Sequence, residues 1–212
     1  MLELGTKLLL SYLLGSLNGA LIIGKLRGVD IRNVGSGNAG GTNALRTQGP
    51  VFALFVMIID IGKGWWPAAI LPALMLPGIG QDPDVSRTWL MLACGGASIA
   101  GHCFPVWFNF KGGKGAATTV GVLIAIAPAL LLPGALVFVA VLVLSGYVGL
   151  STICAAIAMP IWLAVTDFAA SWPIFVFLML LALFIIYTHR SNIQRLRDGN
   201  ESRWERAMLF RR

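Results

Sequence analysis

Seven apolar runs separated by polar stretches set the pattern of this chain: about Leu8 to Ile23, Val51 to Leu76, Trp89 to Val106, Ala116 to Leu132, Leu136 to Leu150, Thr152 to Val165 and Pro173 to Thr188. Most approach the roughly 20 residues that a helix needs to cross the hydrocarbon core. The pattern predicts an all-α polytopic membrane protein of about seven transmembrane helices. The runs at 136–150 and 152–165 are short, so a five-crossing arrangement also fits; both counts are odd and put the termini on opposite faces. No small-residue cleavage site follows the first run, which therefore reads as a retained helix. Gly15 and Gly19 form a GxxxG step, read as close helix packing, and residues 77–88 read as an ordinary external turn.

Composition narrows this further. Of 212 residues, 57% are hydrophobic and only 12% charged, where soluble domains carry about a quarter charged. With a mean hydropathy of +0.80, disorder and a soluble domain are excluded, and one compact membrane domain over 1–212 is predicted. Cys94, Cys103 and Cys154 are odd in number and lack metal-ligand spacing, so they read as packing residues. The net charge of +7 points to membrane orientation and anion binding, not to nucleic acid. In the seven-span arrangement Lys25, Arg27, Arg32, Arg46, Lys111, Lys114, Arg190, Arg195, Arg197, Arg203, Arg206, Arg211 and Arg212 fall on one side, 13 of the 16 Lys and Arg. Lys7 and Arg87 lie on the other, and Lys63 within a span. The positive-inside rule then predicts the amino terminus outside, the carboxy terminus in the cytoplasm, and the polar segments 27–50, 102–118 and 189–206 on the cytoplasmic face.

Those three segments carry the candidate chemistry. From Asn33 to Arg46, glycines at 35, 37, 40 and 41 remove Cβ obstruction, so that backbone N–H groups can close around an anion; Ser36, Asn38, Thr42 and Asn43 add side-chain donors. Arg46 adds a guanidinium fork suited to phosphate. A flexible linker is the plainer alternative, but linkers seldom carry three Asn and an Arg among glycines between two membrane helices. In the second segment Lys114 is followed by Gly115, where a nucleotide P-loop needs Ser or Thr. What remains is Lys111 and Lys114 on a Gly112-Gly113 turn, entering a helix whose amino end favours anions. An inside-positive anchor of two lysines is the competing reading. His102 alone reads more readily as a structural donor. In the third segment, a last helix continuing past the membrane surface would put His189 and Asn192 on one face, with Arg195 or Ile193. Asp60 and Lys63 lie three apart inside the second span, where charges persist only when paired or used; a structural and a site-supporting pair are both open.

Together these residues resemble the bacterial membrane family of acyl-phosphate:glycerol-3-phosphate acyltransferases. The resemblance covers nearly the whole chain and rests on three motifs in order. They are Val34-Gly35-Ser36-Gly37-Asn38 with Gly40, Thr42, Asn43 and Arg46; Gly101-His102 with Phe104-Pro105-Val106 and Phe110 through Thr118; and His189-Arg190 with Asn192-Ile193, Arg195-Leu196, Gly199 and Glu201. The resemblance implies a seven-helix inner-membrane fold with the motifs facing the cytoplasm, where the charge count independently puts them. It implies acyl transfer from acyl phosphate to glycerol 3-phosphate, the first acylation of phospholipid biosynthesis, giving lysophosphatidic acid and phosphate. It also implies Ser36, Arg46, His189 and Asn192 as catalytic residues, and Gly37, Asn38, Gly40, Gly41, Thr42, Asn43, His102, Lys111, Gly112, Gly113, Lys114 and Glu201 as substrate-binding. No cofactor or metal is expected, since a mixed anhydride is already activated. Acyl phosphate, glycerol 3-phosphate and membrane lipids are the partners; docking of the soluble enzyme that makes acyl phosphate is left open. The attacking hydroxyl could lose its proton to His189, whose imidazole ordinarily titrates near neutrality, or to the acyl phosphate's own oxygens. A small transporter for an organic phosphate would need inverted repeats and a polar midplane, and the sequence displays neither.

Overall fold

The structure, a computed structural model, describes residues 1–209; the orientation charges Arg211 and Arg212 lie outside the described residues. Ten α-helices and no strand occur among them: α1 (Leu2–Gly15), α2 (Gly19–Leu26), α3 (Gly41–Gln48), α4 (Pro50–Ala69), α5 (Arg87–Cys103), α6 (Ala116–Ile126), α7 (Leu131–Ser145), α8 (Val148–Thr166), α9 (Phe168–Thr188) and α10 (Arg190–Arg197). Five helical stretches are long and apolar enough to cross a membrane: Pro50–Ala73, Arg87–Phe108, Pro128–Ser145, Val148–Thr166 and Ser171–Thr188. The α1–α2 pair, bent by 46°, makes a sixth if it counts as one span. All seven apolar runs are thus helical, but α6 has only 11 residues, well short of the roughly 20 needed to cross. It stops at Ile126 and not at Leu132 because Ala127 precedes Pro128 and is driven out of the helical region, to φ −157° and ψ 64°.

The helices group into two compact units, Met1–Ile126 and the stretch from Ala127 onward. In the first unit α4 packs against α2, α3, α5 and α6. Its core near the polar loops is Ala20, Leu21, Ile31, Ala39, Ala44, Phe52 and Val56. The Gly15/Gly19 step does serve close packing, but against two partners, because the helix breaks between them. A Cβ on Gly15 would lie 2.7 Å from Ser98 Cα of α5, and one on Gly19 3.0 Å from Val56 O of α4. Lys7 and Arg87 meet at Glu3: Lys7 Nζ donates to Glu3 Oε1 at 2.8 Å, and the Arg87 guanidinium grips both Glu3 oxygens at 2.7 and 2.9 Å. Asp82 N–H also donates to Glu3 Oε2 at 2.7 Å, so residues 77–88 are tied to α1 and not a free turn.

In the second unit α8 packs between α7 and α9. Exposed Leu136, Leu144, Ile161, Trp162, Leu180 and Leu183 cover its outer surface, as befits helices solvated by lipid. The segment after α10 returns to the α7–α8 turn, where Trp204 N–H donates to Gly146 O at 2.8 Å and Arg203 Nε to the Tyr147 hydroxyl at 2.8 Å.

Candidate active site

The glycine-rich segment is a tight loop running into the amino end of α3. Gly35 and Gly37 take φ of +60° and +71°, the left-handed region that glycine alone enters without strain. Asn43, buried in the first turn of α3, braces the loop from within. Its Oδ1 accepts the Ser36 N–H at 3.0 Å, and its Nδ2 donates to Ile31 O and Val34 O, each at 3.0 Å. Both amide hydrogens are therefore used, which corrects the expectation of Asn43 as an anion donor: it shapes the cradle. The missing Cβ of Gly41 also makes room for Met57, whose Sδ would be 2.6 Å from it. The residue preceding α3, Gly40, offers no side-chain cap, so the first-turn N–H groups of Gly41, Thr42 and Asn43 have no partner within the helix and keep its positive end toward the loop. Ser36, Gly37 and Arg46 are exposed and Asn38 half-buried. Thr42 and Arg46 are one turn apart on the same face of α3.

The lysine turn folds back on the end of α5, with Gly112 N–H donating to Cys103 O and Gly113 N–H to His102 O, both at 3.1 Å. Arg32 Nη1 donates to Phe108 O and Lys111 O at 3.2 Å each, so Arg32 ties this turn to the first loop. Its Nε and Nη2 grip Asp30. Those bonds hold the Asp30 carboxyl below its ordinary range and push Arg32 upward. Lys111 is exposed and Lys114 half-buried. Gly113 sits where the two segments touch: a Cβ there would lie 2.5 Å from Ala39 O and collide with the His102 ring. His102 itself is only 2% exposed, and its carbonyl supports the lysine turn from inside.

Ala39 also connects this junction to the break between α1 and α2. Asn18 caps α2 by accepting the Leu21 N–H at 3.1 Å, and its Nδ2 donates to Ala39 O at 3.2 Å. On either side of Asn18, Lys63 Nζ donates to Leu17 O at 3.2 Å and Asp60 Oδ1 accepts the Gly19 N–H at 3.0 Å. Asp60 and Lys63 pair at 2.8 Å, and His102 Nδ1 faces Asp60 Oδ1 at 3.5 Å. An open apolar groove of about 480 Å³ lies along α4 and α6, lined by Leu54, Met57, Ile58, Ile61, Gly62, Trp65 and Ile124. Met57 belongs both to the groove and to the contact with Gly41, so the groove reaches the glycine-rich loop.

In the second unit the last long helix does not run straight on; His189 breaks it and precedes α10. His189 is buried, with Nδ1 2.8 Å from Ile185 O. A carbonyl oxygen only accepts, so Nδ1 carries the proton and the ring's lone pair is on Nε2. Glu201 holds two neighbours, taking Asn192 Nδ2 at 2.7 Å and Arg195 Nε at 2.6 Å. Asn192 also packs against Gly149, whose Cβ would come within 2.6 Å of Nδ2.

Sequence reasoning missed Asn18 and gave Arg32 only a topological role. Asn18 had a signal, an N-cap residue before an apolar run. Arg32 had none, because its acceptors are main-chain carbonyls 76 and 79 residues away.

A family model described as glycerol-3-phosphate acyltransferase matches residues 6–199. A glycerol-3-phosphate acyltransferase of Aquifex aeolicus (strain VF5) is 41% identical over 196 residues, covering 92% of this chain and 95% of its own. One of Pelodictyon phaeoclathratiforme is 38% identical over 228 residues, covering 96% and 97%. Among solved structures, PlsY (YgiH), an integral membrane glycerol 3-phosphate acyltransferase, superposes in its glycerol 3-phosphate form with a TM-score of 0.81 at 38% identity, 95% of each chain covered. Its lysophosphatidic acid form gives 0.79 at 37% identity, with 94% of each covered.

Proposed function

For this chain, which belongs to the glycerol-3-phosphate acyltransferase family, we propose that the acyl donor is an acyl phosphate and that the products are 1-acyl-glycerol 3-phosphate and inorganic phosphate. The chain is an integral-membrane acyltransferase of phospholipid biosynthesis; the donor, the products and the residue roles are the proposal. One observation carries it: two cation-bearing glycine segments meet at Ala39 and Gly113, and an apolar groove reaches the first of them through Met57. Two substrates that each carry a phosphate need two anion sites, and an acyl chain needs an apolar path. The glycine-rich loop, with Ser36, Asn38, Thr42, the α3 amino end and Arg46, is assigned to the phosphate of the acyl phosphate. Lys111 and Lys114 are assigned to that of glycerol 3-phosphate.

In the reaction a glycerol hydroxyl oxygen attacks the acyl carbonyl carbon, forming the ester. The bond from that carbon to the phosphate oxygen breaks, and phosphate departs with the electron pair. The hydroxyl proton goes to a phosphate oxygen of the donor. The donors and cations that dominate the three polar segments support this substrate-assisted route better than a true base at His189. Its Nε2 is assigned to accepting a hydrogen bond from the hydroxyl, while Glu201 fixes Asn192 and Arg195. The excess of Lys and Arg on one side supports an inner-membrane protein with this chemistry in the cytoplasm.

The test is phosphate release by detergent-purified protein given palmitoyl phosphate, with and without glycerol 3-phosphate, and with palmitoyl-CoA as the rival donor. Release that requires glycerol 3-phosphate and appears with lysophosphatidate is expected. Turnover with palmitoyl-CoA alone would overturn the donor assignment.

A further inference from the structure

The buried Asp60–Lys63 pair and Asn18 have no assigned part in the reaction, although they sit against both anion-binding segments. Three consecutive residues run from the break between α1 and α2 into the start of α2, and each is held by a different bond. Lys63 holds the Leu17 carbonyl, Asp60 holds the Gly19 N–H, and Asn18 between them reaches Ala39 O. Ala39 is fully buried, and it is also the residue on which Gly113 of the lysine turn rests. His102, whose carbonyl takes the Gly113 N–H, faces the same Asp60 carboxylate.

We infer that Asn18 is a positioning residue for the acyl transfer: clamped at the helix break by the Asp60–Lys63 ion pair, it fixes Ala39 and thereby the spacing between the glycine-rich loop and the lysine turn. The inference rests on the reading of those two segments as phosphate sites. Two physical points favour positioning over simple packing. A buried ion pair is a poor source of stability, since apolar residues of similar volume commonly do as well or better. A helix break inside a membrane also frees main-chain groups that must be satisfied again, and here the groups that satisfy them point the cap residue at the substrate loop. The capping half of the Asn18 amide needs only an oxygen; the other half, the Nδ2 donor to Ala39, is the part a simple cap would not require.

That division makes the test selective. Asn18→Ser keeps an oxygen able to cap Leu21 but is too short to reach Ala39. Asp60→Asn/Lys63→Met removes the pair together, leaving no unpaired buried charge to unfold the protein. In both variants, purified and shown to be folded by thermal unfolding, the KM for palmitoyl phosphate, for glycerol 3-phosphate or for both is expected to rise about tenfold, roughly the effect of one lost hydrogen bond, with kcat changing less. A role in packing alone would lower the unfolding temperature and leave both KM values at wild type, and that result overturns the inference. So does failure of both variants to fold, which would assign the cluster to folding. Arg46→Ala and Lys114→Ala serve as controls for the underlying reading: if these two leave the kinetics unchanged, the phosphate sites themselves are misassigned, whatever the Asn18 and Asp60/Lys63 variants do.

Discussion

A cation that grips a phosphate contributes a charge-assisted hydrogen bond, about 1.5–3 kcal/mol. Arg46→Ala and Lys114→Ala are therefore expected to lower kcat/KM about ten- to a hundredfold in membrane-inserted protein. Wild-type kinetics for both substrates in either variant would remove that residue from the site. His189→Gln separates the two fates of the hydroxyl proton. A loss below about a hundredfold is expected for substrate assistance, whereas several thousandfold would mark a general base. At this scale the sequence displayed which residue types could bind phosphate but not how each is spent. Asn38 and Asn43 look equivalent on paper; only the fold reveals that Asn43 gives both its hydrogens to Ile31 and Val34. Nor could the sequence show that Ile185 O orients His189, because the partner is main chain and so has no signature of its own.

Among the elements, the junction of the lysine turn with the glycine-rich loop is the most sensitive point. Gly113→Ala would press a methyl group against Ala39 O and the His102 ring, and because the obstruction is backbone it cannot rotate away. Activity is expected to drop by more than tenfold, about the effect of losing one charged contact, while Gly5→Ala, with open space around it and no positive φ, should leave kcat/KM near wild type. The Asp30–Arg32 pair gives the same turn a pH limit. The Asp30 carboxyl is held below its ordinary value, so the pair's contribution is complete above the usual carboxylate range and is lost as the pH falls through the lowered value. Asp30→Asn should bring to neutral pH the loosening that wild type shows only in acid, read as a lower unfolding temperature at pH 7. The seven apolar runs were all legible as helices, but the α7 stop at Gly146 was not, because the apolar run continues past it to Leu150. The break at 16–18 had only the N-cap signal of Asn18, easily passed over because apolar residues continue on both sides of it and its anchors, Asp60 and Lys63, lie some forty residues further along the chain.

For the molecule as a whole, the charge count makes a prediction about sidedness. In a variant with its three cysteines replaced, a cysteine at Asp84 should react with an impermeant maleimide applied outside intact cells, and one at Ser202 only after the membrane is opened. The reverse pattern would invert the proposed orientation. Family membership was legible because its motifs are built from glycines and cations whose spacing is set by the backbone, and such spacings survive in sequence. The division at Ile126 into two units was not, since a boundary between helices of equal hydrophobicity leaves no change in composition to find.

The brace inside the glycine-rich loop has a kinetic corollary. Because Asn43 fixes the cradle through Ser36, Ile31 and Val34, the loop's form is set without help from any ligand, and under the proposed assignment it offers the same donors to the phosphate of an acyl phosphate and to a free phosphate. A receptor of that kind has little means of telling the group it came to hold from the one it has just released. Inorganic phosphate is thus expected to compete with palmitoyl phosphate in initial-rate measurements, raising its apparent KM without lowering the maximal rate, so that the enzyme slows wherever its own leaving group accumulates.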